Sequence, residues 1–298
     1  MNKHYIYINS FWWGFVNKTD GVHFGFFETL FKNTAIKNFE ITNNINKATI
    51  LLESIFGNSL CCVKKWDYTF HYSGEPISKD HKNYTLALDS EYGNAKNNVV
   101  DLPLFVYYIH QNNYLGRLLQ KPLIGKSQIP TKFCCFVVSN GSCTIRNEMF
   151  RALNNYKQID SYGKYCNNMG HNIPHSYWTE EYRDIIRKYK FIICFENTKK
   201  GTYITEKIIN PFLCNIIPIY WGTHHVKRVL NSDSFLLLED ETSNGSLVNL
   251  INKVIELDTD DEKYLKMVNA PVFTDDNLSY WNDNYTIESI AKKMDVFL

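Results

Sequence analysis

An α/β fold built as two parallel-sheet units is predicted from three observations. Short apolar runs alternate with helical stretches along most of the 298 residues, the pattern of strands covered by helices. The run KFIICF at 190–195 is almost wholly apolar, as expected of a strand buried on both faces. Near the middle, NNYLGRLLQKPLIGKSQIP at 112–130 carries two prolines and two glycines and breaks the pattern, which marks a linker.

In the first half, residues 4–9, 48–56, 67–72 and 83–88 read as strands, and 25–37 reads as a helix between the first two. In the second half a strand at 132–138 leads through a Ser/Asn/Gly turn to a helix at 144–155. A short strand at 157–160, a helix at 179–188 and the strand at 190–195 follow. A polar loop then opens a helix at 205–213, the next strand spans 216–221, and helices at 246–257 and 286–296 close the chain. The predicted domains are 1–125 and 126–298, with the last helix free to cross back onto the first domain. The length suffices for each domain to bury its own core.

Composition excludes several function classes. A formal net charge of +1 offers no field to gather nucleic acid, so any phosphate must be gripped locally. No run of 18 apolar residues occurs, so no membrane span is expected. The first residues lack the plan of a signal peptide, so a cytoplasmic or soluble intracellular protein is expected. The eight cysteines form no Cys-x-x-Cys pair, and several lie in strand-like runs, so buried thiols are expected rather than disulfides. Aromatic residues make up 15% of the chain, and core filling accounts for most of them. The Asn-x-Ser/Thr sequons are read as accidents of an Asn-rich sequence.

The strongest chemical signal runs from Phe191 through Phe195-Glu196-Asn197-Thr198 to Tyr203-Ile204-Thr205-Glu206-Lys207, followed by Ile216-Ile217-Pro218-Ile219-Tyr220-Trp221-Gly222. A buried strand here delivers a polar loop to a helix start, at the sheet edge where open α/β sheets bind ligands. Thr205 is a good N-cap, and a helix N-terminus attracts phosphate. Lys207 sits in the first turn, where the helix dipole disfavours a cation, so an anion is expected to meet it. A solvated surface lysine is the plain alternative.

This stretch resembles, almost residue for residue, the donor motif of the bacterial α-1,3/4-fucosyltransferases of glycosyltransferase family 10. Phe133 to Asn155 and Asp160 to Gly170 resemble further family segments. Weaker likenesses lie at Trp12-Trp13-Gly14, Phe56-Gly57-Asn58, Ser73-Gly74-Glu75 and Leu102-Pro103-Leu104. The resemblance implies a GT-B architecture, with two Rossmann-like domains facing across a cleft, acceptor on the first and GDP-fucose on the second. It implies inverting transfer of L-fucose from GDP-β-L-fucose to a glycan hydroxyl, with α-1,3 linkage to a GlcNAc-type sugar the leading expectation. Carried over by position, Arg146 and Lys207 hold the pyrophosphate in place of a metal, and no cofactor is needed. Asn197, Tyr203 and Glu206 contact the donor, and Glu75 in HYSGEP is the general base, although Pro76 departs from the family pattern. Glu75 and Glu206 are thus the expected catalytic carboxylates. The alternatives are the same scaffold with another nucleotide sugar, and a glycan-binding relative without turnover.

Three motifs invite other readings. Asp258-Thr259-Asp260 has the D-x-D form of metal-dependent transferases, but Thr259 and Glu262 make a capping box, which is the preferred reading. His224-His225 is read as a loop pair, because adjacent side chains diverge and no third ligand is suitably spaced. Lys199-Lys200 is read as solvated.

Overall fold

The computed structural model describes residues 3–12, 14–15, 23–90 and 98–298; of the motifs above, Trp13 lies outside them. The chain divides into two compact units. The first comprises Met1–Asn113, Lys200–Tyr203 and Ser279–Leu298, and the second Tyr114–Lys199 and Ile204–Leu278.

In the first unit, β1 (His4–Asn9), α1 (Gly25–Lys32), β2 (Phe39–Ile41), β3 (Ile50–Glu53), β4 (Tyr68–Tyr72), β5 (Leu86–Asp89) and β6 (Val99–Asp101) lead to α2 (Leu104–Gln111). The strands pair parallel in the order β2-β1-β3-β4-β5-β6. β3 and β5 are buried along their whole length, which is why ILLE and LALD carry no polar alternation. Phe27, Leu30 and Phe31 of α1 are buried, and Phe27 meets Tyr72 and Tyr107 edge-on or tilted at 5.1 and 6.0 Å. The aromatic residues here do fill the core. β2 and β6 escape sequence reading because three-residue strands give periodicity nothing to act on.

The second unit begins with α3 (Leu115–Leu119) and continues through β7 (Lys132–Phe136), α4 (Thr144–Tyr156), β8 (Asp160–Ser161), α5 (Glu180–Ile186), β9 (Tyr189–Ile193) and α6 (Glu206–Leu213). It then runs through β10 (Ile217–Tyr220), α7 (Val226–Val229), β11 (Leu236–Leu237), α8 (Asn244–Thr259) and α9 (Asp261–Val268). Its sheet is parallel in the order β11-β10-β9-β7-β8. Phe136, Met149, Phe191, Phe195, Ile219 and Val254 form the heart of its core.

The expected linker is packed structure. Lys121 Nζ donates to the carbonyls of Val268 and Ala270 at 2.7 and 2.9 Å, and Ile124 exchanges two 2.9 Å hydrogen bonds with Asn269. The division falls at Asn113/Tyr114 rather than at 125/126. Proline and glycine density reports a lack of regular structure, not a lack of packing.

Assignment changes again inside α10 (Asp275–Asn284), at Ser279, and α11 (Ile287–Met294) lies with the first unit. Trp281 packs on Phe105 and His110 at 6.1 and 5.6 Å, and Asp295 Oδ1 accepts the Ala35 N–H at 2.8 Å. The last twenty residues therefore belong to the first unit and not to 126–298. No described helix is long and apolar enough to cross a membrane.

Candidate active site

Strand order locates a crevice in each sheet. Where consecutive connections leave a strand pair in opposite directions, their loops part and a ligand can enter. In the second sheet that point lies between β7 and β9, whose register pairs Phe136 with Ile193. A cavity of about 370 Å³ opens there, with Val138, Ser139, Gly163, Tyr177, Glu206 and Lys207 in its lining. That volume lies at the small end of the range for small-molecule sites. At Gly163 a Cβ would come within 1.8 Å of the Val138 carbonyl oxygen, so only glycine lets the loops after β7 and β8 approach this closely.

The carboxyl end of β9 organises the site. Glu196 is wholly buried and accepts from Thr205 N–H at 2.8 Å, from Thr205 Oγ1 at 2.9 Å and from Lys207 Nζ at 3.1 Å. Thr205 in turn caps α6, accepting from Lys207 N–H at 3.4 Å, and Lys207 Nζ reaches Thr205 Oγ1 at 3.1 Å. The anion expected at Lys207 is thus resident, because Glu196 supplies it. The Lys207 side chain stays 27% exposed and faces the cavity, so it can still meet an incoming anion. Burial pushes the Glu196 carboxyl above its ordinary pKa, against the pull of Lys207 and with a further push from Glu206. Sequence reading passed over Glu196; its place between an apolar strand and a polar loop was the available signal.

Arg146 lies within α4 and is 1% exposed. Its guanidinium donates to the Phe195 carbonyl at 3.2 Å, to Asn197 Oδ1 at 3.1 Å and to the Asn140 carbonyl at 2.5 Å. The three residues Phe195, Glu196 and Asn197 therefore hold both expected cations, one from α4 and one from α6. Glu206 and Lys207 line the cavity, while Arg146 braces the loop beneath it. Asn197 itself is exposed. Tyr203 is 1% exposed and groups with the first unit, as do its neighbours Lys200–Thr202. Thr202 N–H donates to the Ser90 carbonyl at 2.9 Å, and its hydroxyl bonds Asp101, which also accepts from Tyr285 OH at 2.6 Å. Burial raises the Asp101 pKa to about 6 despite both hydrogen bonds.

Glu75 is half-buried on the loop that leaves β4. Ser73 knots this loop: its hydroxyl lies 3.0 Å from the Glu75 carbonyl and 2.5 Å from that of Ile77, and it accepts the Glu75 N–H at 3.3 Å. Buried polar groups fix the following turn. Lys79 N–H donates to His71 Nε2 at 3.3 Å, Lys79 Nζ lies 3.6 Å from Glu53, and Ser78 Oγ donates to Asp89 at 2.8 Å. His81 completes the set 2.5 Å from Asp89. Burial drops His71 to a pKa of about 4, so it accepts as a neutral ring. His71, His81 and Asp89 bring potential ligand atoms within 4.8 Å of one another, but each already serves a neighbour in this network.

The other motifs resolve into structural duties. The Asp258 side chain is buried beside Lys157 and Lys190 at 3.1 and 3.3 Å. Burial pushes its carboxyl up, but Lys157 and Tyr156 outweigh this and hold it below the ordinary value. Asp260, not Thr259, caps α9, accepting from the N–H groups of Glu262 and Lys263; Thr259 still belongs to α8 and donates back to Ile255 at 2.9 Å. His224 is half-exposed and its ring contacts the Glu239 carbonyl at 2.8 Å, while burial lowers His225 to about 4. Lys199 pairs with Glu241 at 3.0 Å rather than standing in solvent. All eight cysteines are free, five buried, with Cys61, Cys62 and Cys166 at or near the surface.

Known proteins place the chain in a family. The chain is 33% identical over 159 residues to the Alpha-(1,3)-fucosyltransferase FucT of Helicobacter pylori, which covers 53% of this chain and 31% of that protein. It is 30% identical over 171 residues to the human GDP-fucose protein O-fucosyltransferase 3, covering 55% and 35% respectively. The chain thus spans about a third of the length of these curated relatives. Among solved structures, an alpha1,3-fucosyltransferase with GDP-fucose superposes with a TM-score of 0.74 over 100% of this chain and 91% of the other, at 22% identity. That likeness shows the fold, which is of the GT-B class. Residues 128–292, more than half of the chain, match the description glycosyltransferase family 10 (fucosyltransferase) C-term, and the chain belongs to that family.

Proposed function

We propose that this protein transfers L-fucose from GDP-fucose to an acceptor hydroxyl by a single inverting displacement. The observation that carries the reading is Lys207, presented to a cavity at the switch point of the second sheet by a buried carboxylate and a capped helix. As the glycosyl bond breaks, negative charge grows on the departing GDP, and a pre-positioned ammonium at a helix N-terminus stabilises it. Arg146 adds positive charge and fixes the side chain of Asn197, which this reading assigns to the donor. Glu206, beside Lys207 in the cavity lining, is the carboxylate on the donor side. Glu75, on a loop braced by Ser73, takes the proton from the acceptor hydroxyl as the new bond forms.

These cations do the work that a divalent metal does in other sugar-nucleotide transferases, so activity is expected to persist in excess EDTA. The test is release of GDP from GDP-fucose with a panel of GlcNAc-containing acceptors, alongside other nucleotide sugars. Turnover with another donor alone would identify a different transferase. Tight GDP-fucose binding without turnover on any acceptor would identify a binding module.

A further inference from the structure

The first sheet has its own switch point, between β1 and β3: the chain leaves β1 toward β2 and returns on the far side through β3 and β4. The loops after these two strands are zipped together. Ser54 N–H donates to the Asn9 carbonyl at 3.1 Å and Phe56 N–H to the Ser10 carbonyl at 2.9 Å. Asn9 Nδ2 and Ser10 Oγ both donate to the Asn58 carbonyl, at 2.8 and 2.9 Å. Ser10 holds φ at 57°, left-handed backbone rare for a side-chain-bearing residue. A Cβ at Gly57 would come within 2.8 Å of Ser10 Oγ and would push that hydroxyl off the Asn58 carbonyl.

What this rigid frame displays is aromatic. Phe56 is 54% exposed and meets Trp12 edge-on at 6.2 Å. Trp12 is held from behind by Phe15 and Tyr107 at 4.9 and 5.8 Å. An exposed phenylalanine on a mobile loop would be unremarkable, but four hydrogen bonds hold this one in place. Residues 10–12 and 54–58, the immediate neighbours of Trp12 and Phe56, carry no charge. That is unlike the second unit's crevice, which offers Lys207 to an anion. Next to β3 in the same sheet is β4, whose following loop carries Glu75.

We infer that Trp12 and Phe56 form an acceptor platform on which the apolar face of a neutral pyranose ring lies. Aromatic faces carry negative charge density, and a pyranose presents on one face a patch of weakly positive C–H groups with its hydroxyls directed outward. Preformed loops spare the ordering cost of such a contact. The inference rests on the proposed transfer reaction for its place beside Glu75, but the binding contact can be tested without turnover.

The probes are the methyl β-glycosides of N-acetylglucosamine and galactose, observed by saturation-transfer NMR with the full chain and GDP. One or both are expected to receive saturation at ring C–H protons. Phe56→Ala should abolish it, and Phe56→Trp should retain it. In transfer assays, Phe56→Ala should raise the acceptor KM about tenfold, leaving the KM for GDP-fucose and its slow hydrolysis unchanged. Phe56 is more than half exposed, so its truncation leaves the core intact, and an unshifted Tm checks this. The platform is overturned if neither glycoside saturates on the wild-type chain, if Phe56→Ala leaves the acceptor KM unmoved, or if donor and acceptor KM rise together. Equal transfer by wild type and Phe56→Ala to a serine- or threonine-bearing peptide would overturn it too. If no GDP-fucose turns over at all, the proposed reaction falls, and the saturation signal alone decides the platform.

Discussion

Glu196 and Lys207 lie 3.1 Å apart with the carboxylate wholly buried and the ammonium 27% exposed. The asymmetry decides what each substitution does. Removing Lys207 strands a buried acid, whereas removing Glu196 leaves a cation that water can reach.

The first prediction follows from that acid. Burial already raises the Glu196 pKa, and Lys207 is the largest influence opposing the rise. A folded-state pKa above the unfolded one favours the neutral acid, so stability is full at low pH and is lost as pH rises through the folded value. Lys207→Met lifts that value further. Its Tm should stay close to wild type near pH 5 and fall progressively behind toward pH 8. A tenfold weaker acid at this position corresponds to about 1.4 kcal/mol. A Tm deficit of constant size across that span would show that Glu196 does not titrate against Lys207.

The second prediction concerns Asp101, which bonds both Thr202 and Tyr285 and whose pKa burial raises to about 6. Here too stability falls as pH rises, between the ordinary carboxylate range and about pH 6.5. The full loss is on the order of 3 kcal/mol if the whole rise in pKa is expressed. Asp101→Asn cannot ionise and should flatten that segment of the stability profile. An unchanged slope of denaturation free energy against pH would refute the assignment.

Much of this was legible in the sequence where long apolar strands meet capped helices. KFIICF and the Thr205 cap announce β9, α6 and the position of Lys207 without help from tertiary context. The buried strands β3 and β5 are legible for the same reason, although both are read as starting too early and β3 as running on too far. α2 escapes because LFVYYIHQ is apolar on every side, and a helix buried all round shows no amphipathic period. Glu196 is easy to pass over because its meaning depends on Thr205 and Lys207 folding back onto it, a contact across a loop of eight residues that spacing does not encode. The Arg146 motif marks an important residue, yet only the fold reveals that its N–H groups brace residues 140, 195 and 197.

The third prediction separates grip from brace. If Lys207 grips the pyrophosphate as proposed, Lys207→Ala loses a charge-assisted contact worth about 1.5–3 kcal/mol, so GDP affinity should fall by about ten- to a hundredfold. Arg146→Ala removes a buried guanidinium that braces Phe195, Asn197 and Asn140, so its first effect should be on stability. Near pH 5, where the stranded Glu196 costs least, calorimetry should therefore find Lys207→Ala close to wild type in Tm but weak for GDP, and Arg146→Ala markedly lower in Tm. Equal GDP affinity in wild type and Lys207→Ala would remove Lys207 from the donor site.

The last prediction distinguishes the two carboxylates placed in the reaction. If Glu75 is the base, Glu75→Gln should keep its Tm and its GDP-fucose affinity while transfer falls by roughly 10²–10⁴-fold, the usual worth of a positioned base. The neighbouring acids offer no substitute. Asp80 caps the short turn at 81–83, and Asp89 is buried against His81 and Ser78. Glu206→Gln should behave differently, because Glu206 shares the cavity lining with Lys207, and donor affinity itself should change. Glu206 also pushes the Glu196 pKa upward, so neutralising it should lower that pKa and shift the pH dependence of Tm toward acid. Measuring kcat, donor Kd and Tm for both variants over the same pH range separates the roles. A Glu75→Gln enzyme that kept most of its turnover, or lost donor affinity in step with rate, would dismiss Glu75 as the base.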